Sequence, residues 1–190
     1  MKWVFPEVDR SRLEVLEVYS DSDWASCIKT RKSTTAGLVV FGGATLKSWS
    51  TTQKVIARSS GEAELYALIR GASEGLGVQA LACEMGVQVG VHVLTDSSAA
   101  VGTASRQGLG EVRHLSVSDL WVQECVRQGR FAITKIPGHR NPADAMSKVM
   151  SAGDIAQKLY IVGARLKACE RPRAIQELLA VGGAPQHALL

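Results

Sequence analysis

Three short runs rich in apolar residues, closed by Asp- or Gly-containing turns, precede a single apolar stripe at helical spacing. This succession restricts the chain to a layered α/β arrangement. Leu13 to Ser20 reads as a strand ended by the turn Asp21-Ser22-Asp23, and Ala36 to Phe41 as a second strand ended by Gly42-Gly43. Leu46 to Ser50 and Val55 to Arg58 read as a third, interrupted around Thr51-Thr52. Short Gly-containing connections predict an antiparallel meander. Leu65, Leu68, Ile69, Ala72 and Leu76 then fall at i, i+3, i+4, i+7 and i+11, one face of a helix. Val89 to Thr95 predicts a fourth strand, Ser97 to Arg106 a short helix, and His114 to Gln128 another. Phe131 to Ile136 predicts a fifth strand, and Asn141 to Met150 opens a further helix. The order β-β-β-α-β-α-α-β-α implies a mixed five-stranded sheet with helices on both faces.

A length of 190 residues suits one domain of ordinary size with a modest extension. The domain is expected over 13–150, followed by a helical tail over 151–190. In the tail, Ile155, Leu159, Val162 and Leu166 recur at helical spacing. They predict a helix over 151–168 that must bury its stripe, with the domain as the expected surface. Apolar residues at 46% and charged residues at 21% support a genuine core. The longest stretch without Asp, Glu, Lys or Arg, Ser33 to Leu46, is too short to span a bilayer, and the N-terminus has no signal-peptide core. Cys27, Cys83, Cys125 and Cys169 are far apart, which argues against zinc or disulfides and for a reducing intracellular compartment. A net charge of +4 permits a nucleic-acid partner without specifying one.

Four carboxylates stand out by position: Asp21 after the first strand, Glu64 early in the long helix, Asp96 after the fourth strand, and Asp144 at the start of the helix from Asn141. Side chains placed at strand ends and first helical turns converge at one sheet edge. Clustered carboxylates repel, so a site that gathers four needs cations, and all-oxygen ligation suits Mg²⁺ or Mn²⁺. Two such ions about 3.5–4 Å apart form a phosphoryl-transfer site. Each acid also has a plain structural reading. Asp21 fits a turn, Asp96 fits a helix N-cap, and Asp144 fits N3 behind Asn141 at N-cap and Pro142 at N1. Glu62 and Glu64 lie about 200° apart around a helix and cannot serve one site together. Ser59-x-x-Glu62 fits a capping box, which gives Glu62 a structural task and leaves Glu64 for chemistry, although both flank the apolar stripe.

Seven segments occur in a fixed order: Tyr19-Ser-Asp-Ser-Asp-Trp-Ala25, Arg31-Lys-Ser-Thr34, Ser48-Trp-Ser50, Ser59-Ser-Gly-Glu-Ala-Glu-Leu-Tyr66, Thr95-Asp-Ser97, Arg113-His-Leu115 and Asn141-Pro-Ala-Asp144. Together they resemble the ribonuclease H domain of copia-type LTR retrotransposon polyproteins, over roughly residues 17 to 150. The resemblance implies a ribonuclease H-like fold and a metal-dependent endonuclease that hydrolyses the RNA strand of RNA–DNA hybrids. It implies the catalytic and metal-binding set Asp21, Glu64, Asp96 and Asp144, and it selects Asp21 over Asp23. It also implies two Mg²⁺, with Mn²⁺ as a substitute: Asp21 bridging both, Asp144 on the ion that activates water, and Glu64 with Asp96 completing the other. His139, in the short loop before Asp144, is the candidate for a loop histidine that assists metal or product turnover, with an ordinary loop position as the alternative. The tail matches no part of the family pattern.

Lys29, Arg31 and Lys32 form a basic loop that could contact phosphates, and Arg113 is a further candidate. Ser97 and Ser98 beside Asp96 could donate to phosphate or to the ribose 2′-hydroxyl. Trp24, Trp49 and Trp121 are expected in the core or on a sheet face. Met1 to Phe5 resembles the linker that follows a reverse transcriptase. The expected partners are therefore an RNA–DNA hybrid and the reverse-transcriptase and integrase parts of a parent polyprotein, with no membrane. The expected location is the cytoplasm, the nucleus or a virus-like particle. Two other readings share the same residues: a non-catalytic binding module left by a decayed element, and a recombinase- or transposase-type nuclease.

Overall fold

In the computed structural model, residues 2–3, 13–108, 110 and 116–165 are described. A two-residue strand, β1 (Lys2–Trp3), is followed by the meander β2 (Val15–Asp23), β3 (Thr34–Phe41) and β4 (Ala44–Thr52). The β3–β4 turn is Gly42-Gly43 with φ of 55° and 82°, a left-handed pair that only glycine adopts without strain. Helix α1 (Ser60–Glu84) crosses to β5 (Gly90–Thr95), and α2 (Ser98–Ser105) leads to a 3₁₀ turn at Val117–Leu120 and α3 (Trp121–Arg127). Strand β6 (Ala132–Lys135), a 3₁₀ turn at Gly138–Arg140, α4 (Asp144–Ser147), α5 (Ala152–Ile161) and β7 (Ala164–Arg165) complete the described chain.

The five-stranded sheet has the order β4-β3-β2-β5-β6. Strands β2, β3 and β4 pair antiparallel, whereas β5 pairs parallel with both β2 and β6. This is the mixed sheet expected from the sequence. Leu16, Val18, Val39, Val91 and Val93 meet Leu68 and Ala72 of α1, Ala100 and Ala104 of α2, and Val122 of α3 on one face. Tyr19, Leu38, Val40 and Leu94 meet Ala143 and Val162 on the other. Leu159 of α5 and Val162 are also buried and Ile155 is half-buried, whereas Leu166 of the expected stripe lies outside the described residues. The α5 helix ends at Ile161, short of the expected 168, because Gly163 turns the chain at φ 72° into β7, which pairs with β1. Residues 166–168 lie outside the described residues.

Several elements depart from the sequence reading. Strand β4 runs unbroken through Thr51-Thr52, and Val55 to Arg58 is no strand. Gln53 ends the ladder: its backbone N–H binds Ser33 O, and its buried side-chain amide donates to Thr35 Oγ1 and Ala63 O, drawing the chain towards α1. The helix expected from Asn141 has four residues, since Lys148 turns extended at φ −118°, ψ 151°. Residues 117–120 are 3₁₀ rather than α, and His114 lies outside the described residues. Trp49 is buried and Trp121 packs edge-on against Phe131, but Trp24 is 48% exposed, held by its indole N–H on Ala57 O. Cys27, Cys83 and Cys125 are free thiols.

Gly37 lies in β3 beneath the Trp49 ring. A methyl there would meet Trp49 Cζ2 at 2.2 Å and the Tyr19 carbonyl at 2.6 Å, the latter a backbone atom held by the sheet. Gly37→Ala is therefore expected to destabilise the fold by about 1–3 kcal/mol, measured by urea denaturation.

Candidate metal centre

Because β2, β5 and β6 run parallel, their carboxyl ends share one edge, where open α/β sheets present ligand sites. Asp21 lies near the end of β2 and is fully buried; Asp96 directly follows β5. Glu64 enters from the start of α1, and one carboxylate oxygen from each of the three lies within 4.8 Å of the others. The backbone N–H of Ser22 donates to Glu64 Oε1 at 3.3 Å, while Glu64 Oε2 is buried with no hydrogen-bond partner. Asn141, itself buried, donates from Nδ2 to Ser20 O at 3.0 Å and to Asp96 Oδ1 at 3.5 Å. Gly138 lets the backbone pass close to Asp96, since a Cβ there would stand 2.9 Å from Asp96 Oδ2.

The structural readings of these acids fall on their neighbours. Ser97 caps α2, its Oγ accepting from Ala100 N at 3.2 Å, so Asp96 is not the cap. Ser59 caps α1, its Oγ accepting from Glu62 N at 3.2 Å. Glu62 accepts from Arg58 N at 2.9 Å and from the Tyr66 hydroxyl at 3.2 Å. Glu62 thus has the structural task, although the amide it reaches is that of Arg58 rather than of the cap residue. Asn141 accepts from Ala143 N through Oδ1, and α4 itself starts at Asp144.

Asp144 is placed differently from the other three. Lys148 donates to its Oδ1 and Lys158 to its Oδ2, both at 2.6 Å. Lys148 also lies 3.1 Å from Asp21 Oδ1, and Ser147 Oγ makes a short hydrogen bond to Asp21 Oδ2. Burial followed by the Asp21 charge pushes Glu64 up to about 8. Burial also pushes Asp21 up to about 6, against the Ser147 hydrogen bond and the Lys148 charge. Burial acts on Asp144 in the same sense, but hydrogen bonds from Lys148 and Lys158 outweigh it and hold that carboxyl below its ordinary value. Three converging carboxylates, one with an orphaned buried oxygen, match the donor set of a hard divalent cation. Asp144 has no oxygen left without an ammonium partner.

Lys29, Arg31 and Lys32 lie in the loop that continues from β2, with Lys29 and Arg31 exposed and Arg31 left-handed at φ 56°. Ser98 Oγ accepts from Lys135 Nζ at 2.5 Å, while the Ser97 hydroxyl serves the cap. His139 is exposed on the turn directly after Gly138. Arg113 lies outside the described residues. Lys148 was missed by the sequence reading, although its i,i+4 spacing from Asp144 is a local signal for such a partner. Lys158, fourteen residues beyond Asp144, had no local signal.

No family model matches this chain. The retrovirus-related Pol polyprotein from transposon TNT 1-94 of Nicotiana tabacum is 30% identical over 138 residues, covering 72% of this chain and 10% of that protein. The corresponding polyprotein from transposon RE2 of Arabidopsis thaliana is 29% identical over 140 residues, again 72% of this chain and 10% of that protein. The chain thus spans about a tenth of the length of the curated relatives it matches. Among solved structures, the N-terminal RNase H domain of a Mycobacterium tuberculosis protein, fused to maltose binding protein, covers 77% of this chain and 97% of its own. It is 19% identical, with a TM-score of 0.48.

The raised carboxyls have a consequence for stability. Folded Glu64 and Asp21 hold their protons more tightly than the unfolded chain does, so the folded state binds more protons and stability falls as pH rises. For Glu64 the window runs from its ordinary value of 4.5 to about 8. In EDTA the melting temperature is expected to decline across that window, and Glu64→Gln to flatten the decline. Thermal melts of both proteins over the same pH series check this.

Proposed function

The chain is a homologue of the Pol polyproteins of copia-type retrotransposons, and on that footing we propose that it is a ribonuclease H-type, metal-dependent endonuclease hydrolysing the RNA strand of RNA–DNA hybrids. The observation that carries this reading is the convergence of Asp21, Glu64 and Asp96 at the carboxyl edge of the sheet, with an unpartnered oxygen on Glu64.

In this reading Asp21, Glu64 and Asp96 hold Mg²⁺, with Mn²⁺ as the substitute; the second ion that the family resemblance implies would call on Asp144, whose two oxygens are engaged by Lys148 and Lys158. Divalent ions bound to such a set lower the pKa of an attacking water and offset charge on the leaving oxygen. Asn141 holds the Asp96 side of the site to the end of β2, Gly138 leaves room for the Asp96 carboxylate, and Ser22 N orients Glu64. The Lys29, Arg31 and Lys32 loop, which continues from the strand that carries Asp21, supplies cations for the phosphate backbone, with Arg113 a further contact. Ser97 and Ser98, whose hydroxyls accept from Ala100 N and Lys135 Nζ and keep their own O–H donors, are the candidates to meet phosphate or a 2′-hydroxyl. His139, exposed beside the Asp96 turn, has the role of assisting metal or product turnover. The partners proposed are a hybrid and the reverse-transcriptase and integrase parts of a parent polyprotein. The site of action proposed is the cytoplasm, the nucleus or a virus-like particle. Among the described residues, no helix is long and apolar enough to cross a membrane.

The test is cleavage of a labelled RNA–DNA hybrid beside duplex DNA and single-stranded RNA, with and without Mg²⁺. The RNA strand of the hybrid alone is expected to be cut, and only with the ion. Cleavage of duplex DNA would move the assignment to a recombinase-type nuclease, and no cleavage at all would leave a binding module. Asp21→Asn and Glu64→Gln are expected to abolish cleavage with an unchanged far-UV spectrum. Glu62→Ala should keep activity and lose about 0.5–2 kcal/mol of stability, since it carries bonds at the α1 N-terminus. The reverse pattern for the two glutamates would show that Glu62 is the ligand.

A further inference from the structure

Lys158 is the buried cation of this site. Its side chain is 9% exposed although it belongs to α5, in the tail. An ammonium has three donors and no acceptor, and all three are used here. They go to Gly138 O at 2.8 Å, Asn141 O at 3.0 Å and Asp144 Oδ2 at 2.6 Å. The other oxygen of Asp144 faces Lys148, whose side chain is 40% exposed. The two lysines differ in what release would cost. Lys148 can swing into water. Lys158, 9% exposed, cannot leave without stripping the Gly138 and Asn141 carbonyls of their donor and Asp144 of a buried partner. A divalent ion meets an unpartnered oxygen at Glu64 but an ammonium on each oxygen of Asp144.

We propose that Lys158 is a built-in cation filling the Asp144 end of the site, so that the chain binds one divalent ion, at Asp21, Glu64 and Asp96, and takes a second only when Lys158 is removed. The inference rests on the metal-dependent reading above. Within it, a residue of the tail helix sets how many ions the site holds. Lys158 is a positioning residue here, acting through Asp144.

The test counts ions rather than cleavage. Mn²⁺ uptake by the full chain is measured at neutral pH by isothermal titration calorimetry and by the electron paramagnetic resonance signal of free Mn²⁺. Wild type is expected to bind one ion, Lys148→Met one, and Lys158→Met two. Lys158→Gln, which keeps donors for the Gly138 and Asn141 carbonyls while losing the charge, is also expected to bind two, and it replaces Lys158→Met should that variant fail to fold. Two ions in wild type would overturn the proposal and leave the metal-dependent reading standing. One ion in folded Lys158→Gln would overturn it equally. No uptake by wild type would overturn the metal-dependent reading itself. Should neither variant fold, two ions in wild type would still overturn the proposal.

Discussion

Like-charge repulsion at the end of β2 is the constraint that the surrounding structure answers. Asp21 is fully buried, and Glu64 and Asp96 bring further carboxylate oxygens within 4.8 Å. Left alone, such a group would spread apart or neutralise by protonation; burial first, with the neighbouring carboxylates adding to it, pushes Asp21 and Glu64 towards the second response. The first is prevented by short-range bonds. Ser22 N holds Glu64, Ser147 and Lys148 hold Asp21, and Asn141 ties Asp96 to the Ser20 carbonyl. These bonds hold the carboxylates together at a cost in electrostatic energy that the two-faced core must offset.

Close packing of α1 on β2 makes the convergence possible. Gly71 and Gly75 face the strand, where a Cβ at 71 would meet Ser20 Cβ at 3.3 Å and one at 75 would meet Val18 Cγ2 at 2.7 Å. Larger residues would lift the helix, and Glu64, seven residues before Gly71 on the same helix, would move away from Asp21 with it. On the opposite face, Ala143 and Val162 pack on Tyr19, Leu38 and Val40, which seats α4 and α5 where Lys148 and Lys158 reach Asp144. The two halves of the site are therefore set by the two layers of the core: α1 brings Glu64 from one side, and α4 with α5 brings Asp144 and its lysines from the other.

Much of this was legible in the chain itself. The Leu65-to-Leu76 stripe, the Gly42-Gly43 turn and the parallel crossover to Val89–Thr95 specify the sheet and its main helix through periods of 2 and 3.6 and through glycine's access to left-handed φ. The separation of Glu62 from Glu64 was also legible, because two residues on a helix cannot share a direction and Ser59 marks the cap. Val55 to Arg58 misled, since its composition suits a strand. Whether a strand forms there depends on a distant partner, and the long-range Gln53 bonds to Thr35 and Ala63 turn the chain instead.

The sequence by itself determined which acids stand at element ends, because strand ends and helix starts follow from local patterns of apolar residues, caps and turns. Only the tertiary structure decided what each acid faces. Glu64 and Asp144 are both carboxylates near the start of a helix, yet one keeps an orphaned oxygen and the other meets two ammonium groups. That difference comes from Lys158, carried to Asp144 by the packing of Leu159 and Val162, contacts between residues far apart in the chain that no local period encodes.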